Sequence, residues 1–212
     1  MLRNDMGADG RALVADAPPE FDDVAAERRH RLERMAAACR VFGRAGYSEG
    51  LLGHITVRDP EHPDRFWINP VGVSFRQMRV SHLVQVSHDG EVTQGPGTIN
   101  PVGFRLHSLH GKAWSSLGRP LDPITQDSAV FFEQQAIITH PRVALDDAGG
   151  DEFAEAFGDK RVGIHVGHGL FTTGETVDEA AWWYITMETS CRAQLLAEAA
   201  GEPVHWADDE AR

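Results

Sequence analysis

The chain has 212 residues, 42% hydrophobic and 25% charged, which is typical of a globular domain and excludes a disordered or fibrous protein. Its 32 acidic and 20 basic residues give a formal charge of −12, which argues against nucleic acid or an anionic membrane as a partner. No apolar run reaches the roughly 18–20 residues that span a bilayer, and residues 1–23 lack the apolar centre of a signal peptide. We therefore expect a cytoplasmic protein that binds a small molecule.

One domain is expected over residues 27–203, between an extended or disordered arm of residues 1–26 and a tail of residues 204–212. Its first helix is predicted at residues 27–45, because Leu32, Met35, Cys39 and Phe42 recur at helical spacing. Short apolar runs then predict strands at residues 55–59, 65–69 and 83–87. A turn at residues 88–90 leads into a further strand.

The second half of the domain also contains predicted helices and strands. Asn100 followed by Pro101 predicts a helix start. Strand-like residues follow at 137–139 and 142–145, then an acidic helix at 151–157 and a long strand at 161–173. The last helix is predicted between the capping residue Thr176 and the terminating Gly201. This order of elements predicts an α/β layered domain with a mostly antiparallel sheet.

Eleven histidines make metal chemistry one hypothesis, with hydrogen-bonded structural histidines as the alternative. His107 and His110 are three residues apart on a predicted helix and would share a face. His165 and His168 are three apart on a predicted strand, so we expect them on opposite faces, with only one directed at a site. His168 is the better candidate because glycines flank it.

Several motifs resemble the class II aldolase/adducin family, in the same order along residues 27–203. They are GHITVRD at 53–59, FWINPVG at 66–72, LGRPLDPITQD at 117–127, GHGLFTTG at 167–174 and VDEAAWWYITME at 177–188. The resemblance implies a three-layer α/β/α class II aldolase-like domain with a central, mostly antiparallel sheet. In many members it also implies a homotetramer with active sites at subunit interfaces.

The resemblance further implies a divalent metal held by three histidines, one from an N-H-G-L motif and two from an H-x-H motif on a central strand. GHGL at 167–170 matches the first motif, so the resemblance implies that His168 is a metal ligand. The H-x-H strand is missing, because LHSLH at 106–110 runs directly into Gly111. Three explanations remain open: a protein without metal, a site rebuilt with His107 or His110, and a chain that lacks a segment. On one alignment Arg105 replaces the first ligand.

Other departures from the family pattern concern the substrate. The phosphate-binding positions of the sugar-phosphate aldolases correspond to His54, Val71, Pro101 and Val102, and their acid/base glutamate corresponds to Gly103. Valine and proline side chains cannot donate hydrogen bonds to phosphate, and glycine cannot move a proton. A non-phosphorylated substrate is therefore favoured. The resemblance places it among four residues, His54, Gly72, Gln126 and Asp127, although an ordinary turn is the alternative for the last two.

These features predict a metal-dependent enzyme that uses Zn²⁺ or Fe²⁺ to cleave a C–C bond in an oxo or hydroxy acid, or to decarboxylate it oxidatively. The absence of the phosphate-binding side chains fits one branch of the family, which the chain resembles. This branch contains the ring-A enzymes of novobiocin and clorobiocin biosynthesis. Two alternatives remain: a catalytically inactive, adducin-like oligomeric module that has lost its metal site, and a sugar-phosphate aldolase or epimerase.

Overall fold

The computed structural model describes residues 19–47, 53–99, 108–139 and 147–211. In these ranges no helix is long and apolar enough to cross a membrane. The first half contains helix α1 (Val24–Arg44) and strands β1 (Thr56–Arg58), β2 (Arg65–Ile68), β3 (Val84–Ser87) and β4 (Val92–Gln94). The second half contains α2 (Leu109–Ser115), α3 (Gln126–Ala129), β5 (Gln135–Ile138), α4 (Asp147–Phe157), β6 (Val162–His165), β7 (Gly169–Thr172), α5 (Val177–Ala200) and α6 (Asp208–Ala211).

The described strands form two sheets. The first is an antiparallel meander in the order β1-β2-β3-β4. The second has the order β5-β6-β7, in which β5 and β6 are parallel and β6 and β7 are antiparallel. The predicted α/β architecture with mostly antiparallel pairing is therefore confirmed.

The second sheet lies between two helical layers, because its strands alternate their side chains between opposite faces. On one face Leu170 packs against α2, where the Cβ of an alanine at Gly111 would lie 2.6 Å from Leu170 Cδ1. On the other face the ring of Phe171 packs edge-on against Phe153 of α4, with centroids 4.8 Å apart. The order helix, sheet, helix agrees with the three-layer architecture that the sequence predicts.

Helices α1, α2 and α5 supply most of the main hydrophobic core. α1 buries Met35, Cys39 and Phe42, as its spacing predicts, and Phe42 packs against Tyr184 of α5. Burial raises the pKa of the Cys39 thiol to about 12, and it also raises the pKa of the Cys191 thiol on α5. Both cysteines are therefore buried hydrophobic residues, as expected from their positions in helical patterns.

The ends of the helices follow their capping residues. α1 begins three residues earlier than predicted because the carboxylate of Asp23 accepts a hydrogen bond from the Ala26 amide at 2.7 Å. α5 begins and ends as predicted, with Thr176 accepting from the Glu179 amide at 3.1 Å and Gly201 at its end. The helix start at Asn100 and Pro101 and the strand at 142–145 lie outside the described residues.

The predicted long strand over residues 161–173 is wrong, because the structure has a hairpin there. β6 ends at His165, three residues turn the chain, and β7 begins at Gly169. Gly167 makes the turn possible with φ of +72°, a conformation that L-residues with a side chain rarely adopt. The glycines around His168 therefore reverse the chain.

Candidate active site

A buried carboxylate on α5 holds the beginning of α2. Glu188 has a side chain only 5% exposed, and one oxygen accepts hydrogen bonds from the His110 amide at 3.1 Å and lies 2.8 Å from His110 Nδ1. The other oxygen accepts from the Gly111 amide at 2.7 Å and from the Ser108 hydroxyl. These four contacts satisfy both carboxylate oxygens and two amides that a helix start leaves without intrahelical partners.

Two tyrosines surround this clamp, which we define as Glu188, Ser108, His110 and Gly111. The Tyr184 hydroxyl donates to Ser108 Oγ at 3.1 Å, and burial raises the pKa of that phenol. Tyr47 lies edge-on to Tyr184, with ring centroids 5.7 Å apart, and burial and the charge of Glu188 raise the pKa of Tyr47. The tyrosines are thus kept protonated at neutral pH, and they shield the carboxylate from water.

The clamp gives His110 the arrangement of an acid–base residue. A carboxylate beside Nδ1 favours the tautomer that carries its proton on that nitrogen, which leaves Nε2 as the basic atom. The His110 side chain is 34% exposed, and Nε2 is the ring nitrogen that Glu188 does not contact. His110, predicted as a metal ligand, is thus held by a carboxylate in the structure.

The histidines of the β6–β7 hairpin correct a second prediction. His165 and His168 do not point to opposite faces, because the turn folds one ring onto the other. Their rings stack with centroids 4.5 Å apart and planes 12° apart, and Phe153 of α4 lies 6.1 Å from His165. The histidine pair therefore lies on the α4 face of the sheet, whereas His110 begins α2 on the opposite face.

This arrangement does not fit the three-histidine metal site that the family resemblance implies. Among the described residues, no three His, Cys, Asp or Glu side chains lie close enough to hold one ion. An ion about 2 Å from a histidine nitrogen lies near the ring plane, and the nearly parallel planes of His165 and His168 do not meet at such a point. His107 lies outside the described residues.

The four residues predicted to bind substrate fall in two places. His54 is buried beside β1, where the Asn69 side chain accepts from the Ile55 amide at 2.9 Å and donates to the Gly53 carbonyl at 3.0 Å. Gly72 lies three residues after Asn69, in an exposed turn with φ of +86°.

The second pair, Gln126 and Asp127, lies at the start of α3. Gln126 and Asp127 are exposed there, and the Thr125 side chain caps the helix by accepting from the Ser128 amide at 3.1 Å. Gln126 also lines a surface cavity with Arg161 and Trp206. The described contacts of the two pairs involve different elements, so their common role in binding a substrate stays a prediction.

Glu188 is the residue that sequence reasoning missed. It lies between Tyr184 and Cys191 on the apolar stripe of α5, and it is buried with them. A glutamate in such a stripe is rarely buried unless a partner satisfies it, so its position was the available indication. The sequence could not name the partner, because Ser108 and His110 are 80 and 78 residues away.

Comparison with known proteins identifies the family. The model of the Class II Aldolase and Adducin N-terminal domain matches residues 33–109 and 105–195, two segments that meet where the expected H-x-H strand is missing. The chain is 39% identical to the Meiotically up-regulated gene 14 protein of Schizosaccharomyces pombe, over 88% of this chain and 81% of that protein. The chain belongs to the class II aldolase/adducin family.

Two further relatives carry names of enzymes. The chain is 37% identical to decarboxylase NovR of Streptomyces niveus, over 88% of this chain and 76% of that one. It is equally similar, with the same coverage, to 4-hydroxy-3-prenylphenylpyruvate oxygenase/4-hydroxy-3-prenylbenzoate synthase of Streptomyces roseochromogenus subsp. oscitans. Among solved structures, L-fuculose 1-phosphate aldolase from Glaciozyma antarctica is 38% identical, with a TM-score of 0.84 over 92% of this chain and 84% of that one. The class II aldolase fold is thus confirmed, and the named relatives support a lyase-like enzyme.

Proposed function

We propose that this chain breaks a C–C bond in a non-phosphorylated oxo or hydroxy acid, and that His110 moves the proton in that reaction. One observation carries the proposal: a half-exposed imidazole held by a buried carboxylate, in a chain 37% identical to a decarboxylase. A histidine whose second nitrogen is fixed by a carboxylate is a typical general base.

The chemistry needs only a proton carrier when the bond to be broken lies next to a carbonyl group. In a 4-hydroxy-2-oxo acid, Nε2 of His110 would take the hydroxyl proton, and the electrons of the breaking C–C bond would move towards the carbonyl. An aldehyde leaves, and the protonated imidazole returns the proton to the enolate carbon. In a 3-oxo acid, carbon dioxide leaves instead, and a protonated His110 supplies the proton. In both cases Glu188 would hold the imidazole in place through Nδ1.

The residues at the positions that correspond to the phosphate-binding residues of sugar-phosphate aldolases support a non-phosphorylated substrate. His54 is buried at the first corresponding position, and Val71 at the second carries no hydrogen-bond donor in its side chain. The names of the two Streptomyces relatives support an aromatic oxo acid, and with it a role in antibiotic biosynthesis. A 4-hydroxyphenylpyruvate derivative carries neither the 4-hydroxyl nor the 3-oxo group of the two steps above, so its cleavage would require O₂ as an oxidant in addition to a proton carrier.

His110→Ala tests this proposal on a panel of 4-hydroxy-2-oxo acids, 3-oxo acids and 4-hydroxy-3-prenylphenylpyruvate, with products identified by mass spectrometry. We expect the variant to lose about 100-fold or more in kcat, the usual contribution of a general acid or base. The control is His88→Ala, because His88 is exposed in the turn between β3 and β4. Full activity in His110→Ala would exclude His110 as the proton carrier.

A sugar-phosphate aldolase is the second candidate, because the relative from Glaciozyma antarctica carries that name. L-Fuculose 1-phosphate belongs in the same panel, and its turnover in preference to the oxo acids would select this candidate. Turnover of none of these substrates would favour the third hypothesis, an adducin-like module without catalytic activity.

We also propose that the chain assembles as the homotetramer found in many members of the family. Trp182, exposed on α5, offers an apolar side chain for such an interface. Light scattering after size exclusion should give a mass four times the 23.3 kDa of one chain. A monomer mass at micromolar concentration would contradict this.

A further inference from the structure

An open surface cavity with a volume of about 450 Å³, broadly accessible to solvent, lies between α3, the turn that follows it and the C-terminal segment. Its volume is in the range of small-molecule sites. Trp206 lies in its wall, and the hydrogen bond from the Trp206 amide to the Pro123 carbonyl, at 2.9 Å, holds the C-terminal segment beside α3. Among the described residues, the cavity lining combines apolar side chains with the amides of Gln126 and Gln134, the carboxylate of Glu133 and the guanidinium of Arg161.

Arg161 is held in place but keeps hydrogen-bonding capacity. Its guanidinium stacks on the ring of Trp183, 4.6 Å from the ring centroid, which fixes the guanidinium plane. In the described part of the chain its side chain makes one hydrogen bond, to the Val130 carbonyl at 3.4 Å, and no carboxylate lies within ion-pair distance. A guanidinium has five N–H donors, and a fixed pair of them matches the two oxygens of a carboxylate.

The backbone of this cavity is strained at one lining residue. Glu133 has φ of +57°, the only non-glycine residue with positive φ among those that the structure describes. Strain of this kind costs about 1–3 kcal/mol and is concentrated at ligand sites. Two hydrogen bonds hold the turn closed: Lys160 Nζ donates to the Glu133 carbonyl at 3.1 Å, and the backbone amide of Arg161 donates to the Gln134 carbonyl at 3.2 Å.

From this geometry we infer a second ligand site, in which Arg161 binds the carboxylate of a small organic acid and the apolar wall packs against its body. The ligand class is an aromatic monocarboxylate, because Phe132 and Trp206 provide the rings of the wall. This inference stands apart from the proposed function. His110 begins α2 against Glu188, whereas Arg161 precedes β6 and packs on Trp183.

Binding of benzoate and phenylpyruvate to the whole chain, measured by titration calorimetry and by the fluorescence of Trp206, tests the inference. We expect Arg161→Gln to weaken binding about tenfold or more, because a charge-assisted pair of hydrogen bonds is lost. Glu133→Gln should tighten binding, since it removes an acidic group that lines the cavity. Trp206→Phe should abolish the change in fluorescence.

The matched control is Arg192→Gln, which makes the same change of charge at an exposed position of α5. It should leave the Kd within about twofold of the original. Should Arg161→Gln fail to fold, Gln126→Ala tests the same cavity from an exposed side chain and should weaken binding. The inference would be overturned if Arg161→Gln bound benzoate as tightly as the unaltered chain does, or if the unaltered chain bound neither acid. It would also be overturned if inorganic phosphate competed as well as the aromatic acids do.

Discussion

Asp59 shows how one buried carboxylate can join three elements. Its side chain is fully buried and accepts hydrogen bonds from Arg28 of α1 at 2.8 and 2.9 Å, from Trp67 of β2 at 2.7 Å and from Gln85 of β3 at 2.9 Å. Burial alone would raise the pKa of Asp59, but the hydrogen bonds from Arg28, Trp67 and the amides of His62 and Glu61 hold the pKa well below its ordinary value. The ionised form is therefore the one that the fold stabilises.

Asp59→Asn should lower the free energy of unfolding by about 3 kcal/mol, because its donors lose their charged acceptor while remaining buried. Urea unfolding followed by circular dichroism measures this. Glu61→Gln is the control, since Glu61 also contacts Arg28 but is exposed, and it should cost less than about 1 kcal/mol. A loss in Asp59→Asn no larger than in this control would contradict the assigned role.

The same carboxylate predicts a dependence on pH. Because the pKa of Asp59 is lowered on folding, its contribution to stability is complete above the ordinary value of 3.8 and is lost as the pH falls below it. The unfolding free energy should therefore decrease from about pH 4 to pH 2 less steeply in Asp59→Asn than in the unaltered chain. Parallel curves for the two proteins would count against the lowered pKa.

At the scale of the elements, two glycines in helices should respond oppositely to the same change. A Cβ at Gly111 of α2 would lie 2.6 Å from Leu170 Cδ1 and 2.8 Å from Ser108 Oγ, so Gly111→Ala should destabilise the fold by about 1–3 kcal/mol. At Gly150 of α4 nothing lies within 4 Å, and Gly150→Ala should stabilise it by about 0.5–1 kcal/mol. Thermal melting compares the two, and a stabilising Gly111→Ala would contradict the close packing of α2 on β7.

The elements also show what can be predicted from the sequence. The helices α1 and α5 and the strands of the first sheet follow from apolar spacing and from caps such as Thr176, because both are local properties. The β6–β7 hairpin could not be predicted because a three-residue turn inside an apolar run does not change the periodicity of the apolar residues. The glycines gave no decision either, because a glycine in a strand pattern can indicate the close approach of another group or a reversal of the chain. The clamp at Glu188 depends on contacts between distant parts of the chain, which no local pattern contains.

At the scale of the whole molecule, the second sheet separates described histidines that would otherwise be candidates for one metal site. It lies between His110 and the pair of His165 and His168, so the described histidines do not converge. If the described histidines are the only available ligands, protein purified without a histidine tag should contain less than about 0.1 mol of zinc or iron per chain, since a stable site needs about three ligands. Elemental analysis by mass spectrometry measures this, with His168→Ala as the control. One equivalent that disappears in that variant would restore the metal hypothesis.

The clamp at Glu188 also bears on how the chain tolerates changes in length. Four contacts to the Glu188 side chain of α5 fix residues 108–111, so that helix sets the place of the His110 imidazole. Insertions or deletions just ahead of Ser108 can then accumulate during evolution without displacing the ring. The family match divides at this junction, at residues 105–109, where such freedom begins.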